Sequence, residues 1–262
     1  MSQRKDPDIA RLYHMHSSHL RCRVSDTPAD LDRYPLRFRT YMGSTRVDLP
    51  GQDFALQGSL GELLERRVSI REFLLKPLAL EVVGRLLYTS YGLRGAQEGT
   101  SQRSTDRPVP SAGGLYPLEL YVATQAVTGL PDGVYHYDAR AHQLELRRTG
   151  RVHEELAGIT LGQTMLHDAN LLIVITAIFQ RTMWKYGQRG YRYIWLDAGH
   201  VGQNLYLAAA ALGLGPVAIG GFFDDDLNRL LELPRDEEKA VYAICVGQPK
   251  EHGEAPMAQA HE

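Results

Sequence analysis

Residues 171–177 form a continuous apolar run rich in β-branched side chains, and this run limits the folds that are open to the chain. A strand that is apolar on both faces lies inside a sheet, with other layers packed on each side of it. The strongest helical pattern comes later, at residues 197–212, and a further strand is predicted at residues 241–246. Helices and strands are mixed without regular β-α-β alternation, so the pattern predicts an α+β fold in which a small sheet is covered by helices.

The chain divides into three segments of different character. Residues 1–57 are rich in arginine, weakly patterned and interrupted by prolines, and we expect an extended or partly helical arm that packs on the body. Residues 58–250 form the body, and residues 251–262 are predicted to be a disordered tail. Further predicted elements of the body are helices over residues 59–66, 80–91, 153–161 and 224–231, and a hairpin of residues 133–137 and 143–148.

The composition argues against two classes of partner. The chain has 262 residues, 44% of them hydrophobic, and a formal net charge of −2, which is too little positive charge for electrostatic binding of nucleic acid. No apolar run approaches the roughly 20 residues of a membrane helix, and residues 1–10 are too polar for a secretory signal. We therefore expect a cytoplasmic protein with neither nucleic acid nor a membrane as its partner.

The cysteines and histidines predict neither a disulfide framework nor a metal site. The chain has two cysteines: Cys245 lies in an apolar run and is expected in the core, and Cys22 lies between two arginines. His14, His16 and His19 have spacings that could meet a metal, but no cysteine or pair of carboxylates in matching register lies nearby.

Residues 110–117 form a small-residue loop with proline at both ends that runs into a strand with alternating side chains at residues 118–123. Gly113, Gly114 and Ala112 leave backbone N–H groups uncovered, so a flat or anionic ligand can approach the main chain closely. The alternative is an ordinary turn before a strand.

Two further segments carry hydrogen-bond donors suited to a ligand. Residues 66–71 combine arginines with Ser69 where the first body helix ends, which suits phosphate oxygens; the alternative is a solvated helix end. Residues 216–222 form a second small-residue loop after the long helix, in which Gly220 and Gly221 expose backbone donors; the alternative is a turn between helices.

Lys185 and Tyr186 lie at the start of a segment, residues 184–195, that is dense in arginine, tyrosine and tryptophan. A lysine desolvated by aromatic rings can act as a base, and a neighbouring tyrosine can relay a proton or hold the substrate. The alternative is a lysine that extends from an aromatic patch into solvent. The sequence has no nucleophile elbow, Walker loop or dinucleotide-binding glycine pattern.

These segments, in this order, resemble the FMN-dependent nitroreductase superfamily, and in particular its SagB-type dehydrogenase branch, relatives of the thiazoline and oxazoline oxidases that act on ribosomal peptides. The resemblance covers about residues 59–248. The matching residues are Arg66 to Arg71, Ser90 to Gly92, Pro110 to Pro117, Lys185 to Gly187 with Arg189 and Tyr191, Leu196 to His200 with Gln203 to Leu205, and Gly220 to Phe222.

The resemblance implies a mostly antiparallel sheet, an intertwined homodimer and bound FMN. In the family, the loop that matches residues 110–114 reaches the FMN held mainly by the other subunit, so two composite sites are expected. Arg71 matches a cation beside the N1/O2 edge of the flavin, and residues 219–221 match backbone that contacts N5 and O4. The implied cofactor-binding residues are Arg67, Val68, Ser69, Arg71, Pro110, Ser111, Ala112, Gly114, Ile219, Gly220 and Gly221.

The resemblance also implies a reaction. Lys185 and Tyr186 match a pair associated with catalysis in azoline-oxidising members, so Lys185 would remove a proton from a carbon next to a C=N bond while a hydride passes to flavin N5. Two alternatives remain open: an NAD(P)H-dependent reductase of nitro compounds or quinones, and a non-enzymatic flavin-binding subunit. Biosynthetic partner proteins are also possible partners of a SagB-type protein. A separate prediction concerns Lys250, the basic residue that follows the last predicted strand.

Overall fold

The computed structural model describes residues 8–18, 35–53, 56–94 and 107–250. His19, Cys22 and the predicted tail at residues 251–262 lie outside these ranges. The helices are α1 (Ile9–His16), α2 (Leu60–Arg66), α3 (Leu80–Tyr91), α4 (His153–Ile159), α5 (Gln180–Tyr186), α6 (Gln188–Ala211) and α7 (Asp224–Leu230). The strands are β1 (Arg46–Asp48), β2 (Phe73–Leu74), β3 (Leu78–Ala79), β4 (Leu118–Thr124), β5 (Val127–Thr128), β6 (Gly133–Asp138), β7 (Gln143–Thr149), β8 (Leu171–Ile178), β9 (Gly215–Ile219) and β10 (Glu238–Pro249).

The main sheet has eight strands, and its pairings are antiparallel. The order is β1-β7-β6-β4-β8-β10-β2, and β9 also pairs with β10. The short strands β3 and β5 form a separate parallel pair. Helices pack on both faces of the main sheet, which confirms the predicted α+β fold and the central position of the apolar run that became β8.

The sheet separates two hydrophobic cores. One core contains side chains of α3 and α6, and the other contains side chains of α4 and α7. The alternation predicted for residues 118–123 is present in β4: Leu118, Leu120 and Val122 enter the first core, whereas Tyr121 and Ala123 enter the second. Every residue of β4 is buried, because both faces of the sheet are covered.

The long helix α6 begins nine residues earlier than its apolar pattern predicts, and α5 precedes it. Gly187, with φ 52°, separates the two helices. The first turns of α6 are rich in tyrosine, tryptophan and arginine because they pack against α1: the rings of Tyr13 and Tyr191 lie 5.2 Å apart, and Arg192 donates to the Ser17 hydroxyl. The aromatic and cationic side chains of these turns therefore hid the helical pattern, which depends on apolar residues at helical spacing.

The prediction that residues 216–222 form a single loop is wrong in its first half. Residues 215–219 are β9, which pairs with β10 from Gly215↔Gly247 to Ile219↔Ala243. The pairing forms because β10 has two edges: one pairs with β8, and the other is open to β9. The loop is confined to the residues after Ile219, which places Gly220 and Gly221 at the end of a strand.

Buried ion pairs attach part of the arm to the sheet. Arg39 lies 2.9 Å from Glu238, and Arg181 of α5 lies 2.6 Å from Glu119 and donates to the Leu36 carbonyl. His136 lies between Glu119 and Glu145; burial alone would lower its pKa, but hydrogen bonds to the two carboxylates raise the pKa of His136 to about 9. The arm thus packs on the body through charges as well as apolar contacts, while the boundaries at residues 57 and 250 remain predictions.

None of the helices in the described ranges combines the length and the apolar character that crossing a membrane requires.

Candidate functional site

Arg67 and Ser69 lie together against Tyr206 of α6. Helix α2 begins at a capping box formed by Ser59 and Glu62, and it ends at Arg67, where the backbone becomes extended. The Arg67 guanidinium lies 5.5 Å from the centroid of the Tyr206 ring, and Ser69 Oγ lies 3.0 Å from Tyr206 Oη. Ser69 is exposed and Arg67 is half-buried, so both present donors next to solvent.

Tyr206 and the segment after α2 also contact β9, which leads to the second glycine loop. The Ala218 N–H donates to Tyr206 Oη at 2.7 Å, and the Ile70 N–H donates to the Pro216 carbonyl at 2.9 Å. The strand pairing ends at Ile219, and a Cβ on Gly220 would enter open space. The structure therefore brings Arg67 and Ser69 to Tyr206 and to β9, and the predicted residues 219–221 follow Ala218 directly; we call Arg67, Ser69, Tyr206 and residues 218–221 the Tyr206 cluster.

Val68 and Arg71 are exposed on either side of Ser69. Arg71 lines a cavity of about 520 Å³ together with Lys250 and His167. The Lys250 N–H donates to the Glu72 carbonyl at 3.0 Å, which continues the pairing of β10 with β2. Lys250 is thus placed beside Arg71, and both cations border the same open volume.

The loop that follows Pro110 is held by Asp197 of α6. The Ser111 hydroxyl donates to Asp197 Oδ2 at 2.5 Å and accepts from the Tyr116 N–H at 2.9 Å. Gly113 and Gly114 have φ values of 62° and 66°, a conformation that side chains rarely adopt. Asp197 was missed as a site residue, although it lies within one of the matching segments, because sequence spacing does not show which loop a helix residue faces.

Lys185 and Tyr186, in the last turn of α5, face this loop at Gly113. A Cβ on Gly113 would lie 2.5 Å from Tyr186 Oη and 3.0 Å from Lys185 Nζ, so the pair rests on bare backbone. The Tyr186 ring contacts Tyr193 with centroids 5.1 Å apart. Lys185 itself is exposed in the single chain, so the desolvation expected from the aromatic segment is absent here. We call Ser111, Gly113, Lys185, Tyr186 and Asp197 the Lys185 cluster.

The two clusters lie at different levels of α6. Asp197 and Tyr206 are nine residues apart, which corresponds to about 14 Å along an α-helix, and Lys185 precedes the start of α6. One chain therefore does not place its predicted phosphate-binding donors next to its own predicted catalytic pair.

Asp197 is a buried carboxylate whose charge is costly. Burial raises the pKa of Asp197 to about 6, although hydrogen bonds from the Ser111 hydroxyl and the Ala112 N–H act in the opposite direction. The native pKa lies above the ordinary value of 3.8, so the folded protein binds this proton more tightly than the unfolded chain. Asp197 therefore contributes stability that is complete below about pH 4 and is lost as the pH rises through about 6.

We expect Asp197→Asn to gain unfolding free energy relative to the natural protein between about pH 4 and pH 6, by about 2–3 kcal/mol, because asparagine has no charge to bury. Urea unfolding of both proteins at pH 4, 5, 6 and 8 measures this gain. Ser111→Ala is the companion variant: loss of the hydroxyl donor moves the pH window upward. A difference between Asp197→Asn and the natural protein that does not vary with pH would contradict the argument.

Groups of three or more potential metal ligands are absent from the described part of the chain. His14 and His16 lie on α1, and the third histidine of that predicted set is outside the described ranges.

Comparison with protein families gives a match to the model of the nitroreductase family over residues 64–248. A protein of Methanocaldococcus jannaschii that is named a nitroreductase is 38% identical over 193 residues, which are 73% of this chain and 92% of that protein. The microcin B17-processing protein McbC of Escherichia coli is 30% identical over 152 residues, which are 55% of this chain and 53% of that protein.

Two solved structures show the same fold. A nitroreductase crystal structure from Anabaena variabilis superposes with a TM-score of 0.75 at 29% identity; the match covers 95% of this chain and 49% of that one, so this chain spans about half its length. A chain of the Escherichia coli microcin synthetase McbBCD complex, with truncated pro-MccB17 bound, superposes with a TM-score of 0.63 at 22% identity over 93% of this chain and 92% of that one.

Proposed function

We propose, from the premise that this chain belongs to the nitroreductase family of oxidoreductases and to its SagB-type branch, that it is an FMN-dependent dehydrogenase that oxidises an azoline-type ring. The observation that carries the proposal is the meeting of Lys185 and Tyr186 over the backbone of Gly113. A base and a hydroxyl meet over a residue that has no side chain, and a larger residue at position 113 would displace them, because its Cβ would lie 2.5 Å from Tyr186 Oη.

The donors of the Tyr206 cluster fit flavin mononucleotide. Arg67 and Ser69 offer a guanidinium and a hydroxyl to the same side, which suits a phosphate and its ribityl chain. Gly220 and Gly221 are exposed and follow β9, and the space beside Gly220 is open, which suits the approach of a heterocycle edge to the backbone. Arg71, with Lys250 beside it, is the cation available to the pyrimidine edge of the flavin.

Each residue of the Lys185 cluster has a separate task in the proposed reaction. Lys185 Nζ removes the proton from the ring carbon next to the C=N bond, and the Tyr186 hydroxyl holds the ring. Bound FMN supplies the acceptor for the hydride that the ring loses, and dioxygen is the final acceptor. Since Lys185 is exposed in the single chain, the water exclusion that activates an amine must come from the flavin, the substrate or a second subunit.

The separation of the two clusters along α6 supports a homodimer with two composite sites. In a two-fold dimer, a surface of one subunit meets the same surface of the other, so the Tyr206 cluster of one chain can face the Lys185 cluster of its partner. The SagB-type relationship also makes further biosynthetic partner proteins part of the proposal, since the McbBCD structure is a multi-protein synthetase complex.

Purification followed by anaerobic titration tests the function. We expect a protein with the absorption bands of FMN that bleach rapidly with a thiazoline-containing peptide and slowly with NADPH. Loss of the absorption bands after removal of free flavin would contradict the cofactor assignment. Rapid bleaching by NADPH, with no bleaching by the thiazoline peptide, would contradict the azoline assignment.

The alternative of an NAD(P)H-dependent reductase of nitro compounds or quinones is favoured by the relative from Methanocaldococcus jannaschii, which is named a nitroreductase and matches over most of its length. It predicts the reverse of the titration above: rapid bleaching by NADPH and none by the thiazoline. A flavin that neither donor reduces would instead indicate the non-enzymatic flavin-binding subunit.

A further inference from the structure

Tyr206 joins the two segments that are expected to hold the flavin. Its side chain is 8% exposed, and its Oη lies 3.0 Å from Ser69 Oγ and 2.7 Å from the Ala218 nitrogen. Ser69 follows α2, and Ala218 immediately precedes the last residue of β9, so the tyrosine bridges elements that are far apart in the sequence. The sequence alone assigns Tyr206 no role, because a tyrosine on the apolar side of a helix is expected in the hydrophobic core.

The direction of these hydrogen bonds follows from the proton count. The Ala218 N–H is a donor only, so Tyr206 Oη accepts from it and keeps one proton of its own to donate. A buried hydroxyl that does not donate is costly, and among the described residues Ser69 Oγ is the acceptor within reach. Tyr206 therefore donates to Ser69, and the Ser69 proton is left free to point outward.

The Arg67 guanidinium adds a positive charge beside this hydroxyl. It lies over the face of the Tyr206 ring, at 5.5 Å from the centroid, in the geometry of a cation–π contact. Successive hydrogen bonds from Ala218 to Tyr206 and from Tyr206 to Ser69 polarise one another, which makes the final hydroxyl a stronger donor. The outward groups at this point are thus donors, as the oxygen atoms of an anion require.

Resting on the proposed function, we propose that Tyr206 is a positioning residue of the flavin phosphate site: it orients the Ser69 hydroxyl and the Arg67 guanidinium toward the phosphate and does not itself touch the cofactor. The groups that Tyr206 orients lie at the phosphate end, whereas the strand before Gly220 is also held by the pairing of β9 with β10. Removal of the Tyr206 hydroxyl therefore weakens the binding of FMN, which carries the phosphate, and leaves the binding of riboflavin, which lacks it, unchanged.

Tyr206→Phe, which keeps the ring and removes the hydroxyl, tests this inference. The dissociation constants of FMN and of riboflavin are measured by quenching of flavin fluorescence as the flavin-free protein is added. We expect FMN to bind about tenfold more weakly to Tyr206→Phe, as for the loss of one hydrogen bond, and riboflavin to bind as to the natural protein. Tyr135→Phe is the matched control, because Tyr135 of β6 is a buried tyrosine that donates to the Pro131 carbonyl, and its replacement should leave both constants unchanged.

Ser69→Ala supplies a second measurement, because Ser69 is exposed and its replacement should not affect folding. If Tyr206 acts through Ser69, the variant that combines Tyr206→Phe with Ser69→Ala binds FMN no more weakly than Ser69→Ala alone. Equal weakening of FMN and riboflavin by Tyr206→Phe, unchanged FMN binding, or additive effects in the double variant would each overturn the inference. A natural protein that binds neither flavin overturns the proposed cofactor, and the inference with it.

Discussion

Lys185→Ala is expected to lose azoline oxidation by about 10²- to 10⁴-fold in kcat while FMN remains bound, because the change removes the base and leaves the Tyr206 cluster intact. The Lys185 amine lies against the backbone of Gly113, beside the Tyr186 hydroxyl. Single-turnover bleaching of the flavin by a thiazoline peptide, followed in the absence of oxygen, isolates the chemical step from reoxidation.

Two variants make this result specific. Lys76→Ala removes an exposed lysine from the segment between β2 and β3 and should keep full activity. Tyr186→Phe keeps the ring contact with Tyr193 but removes the hydroxyl that faces Gly113, so it should lower the rate less than Lys185→Ala. Full activity of Lys185→Ala with FMN bound would remove Lys185 from the mechanism.

A mixture of Arg67→Ala and Lys185→Ala subunits is expected to regain activity that neither variant has alone. In a composite site, the Tyr206 cluster comes from one subunit and the Lys185 cluster from the other. A heterodimer of the two variants therefore contains one site with both defects and one site with neither. Random pairing makes half of the dimers heterodimers, so the mixture should recover roughly a quarter of the natural activity.

Co-expression with two different affinity tags, followed by tandem purification, yields the heterodimer itself, for which about half of the natural activity is expected. Arg67→Ala mixed with Ser69→Ala is the matched control, since both defects lie in the same cluster and complementation between them should fail. Equal, negligible activity of all mixtures would mean that each site is built within one chain, which contradicts the dimeric arrangement.

Several local features of the fold were predictable because they depend on neighbours in the sequence. The helix predicted over residues 59–66 is present as α2, which begins at the capping box of Ser59 and Glu62, and α3 spans the predicted residues 80–91. The start of α6 and the whole of α5 are not predicted from the sequence, because the aromatic and cationic residues of α6 contact α1 and Arg181 of α5 pairs with Glu119 of β4. Likewise, the sequence predicts a loop at residues 216–222, of which residues 216–219 belong to β9, since a short strand at the edge of a sheet depends on its partner rather than on its own pattern.

In the candidate site, too, some features depend on neighbours in the sequence and others depend on tertiary contacts. The sequence indicated which segments carry donors, and the structure brings Lys185 and Tyr186 to the loop at Gly113 and Arg67 and Ser69 to β9. The roles of these residues stay predictions. Neither Asp197 nor Tyr206 was expected to organise them.

By itself, the sequence determined the α+β class, the family resemblance and the segments that carry the proposed chemistry, because composition, spacing and short patterns record local preferences. Only the tertiary structure decided that Asp197 holds a loop 86 residues away and that Tyr206 meets a serine 137 residues away. It also decided that the two clusters are separated along α6. The physical reason is that a hydrogen bond needs a donor and an acceptor within about 3 Å, and chain folding alone sets that distance between residues remote in sequence.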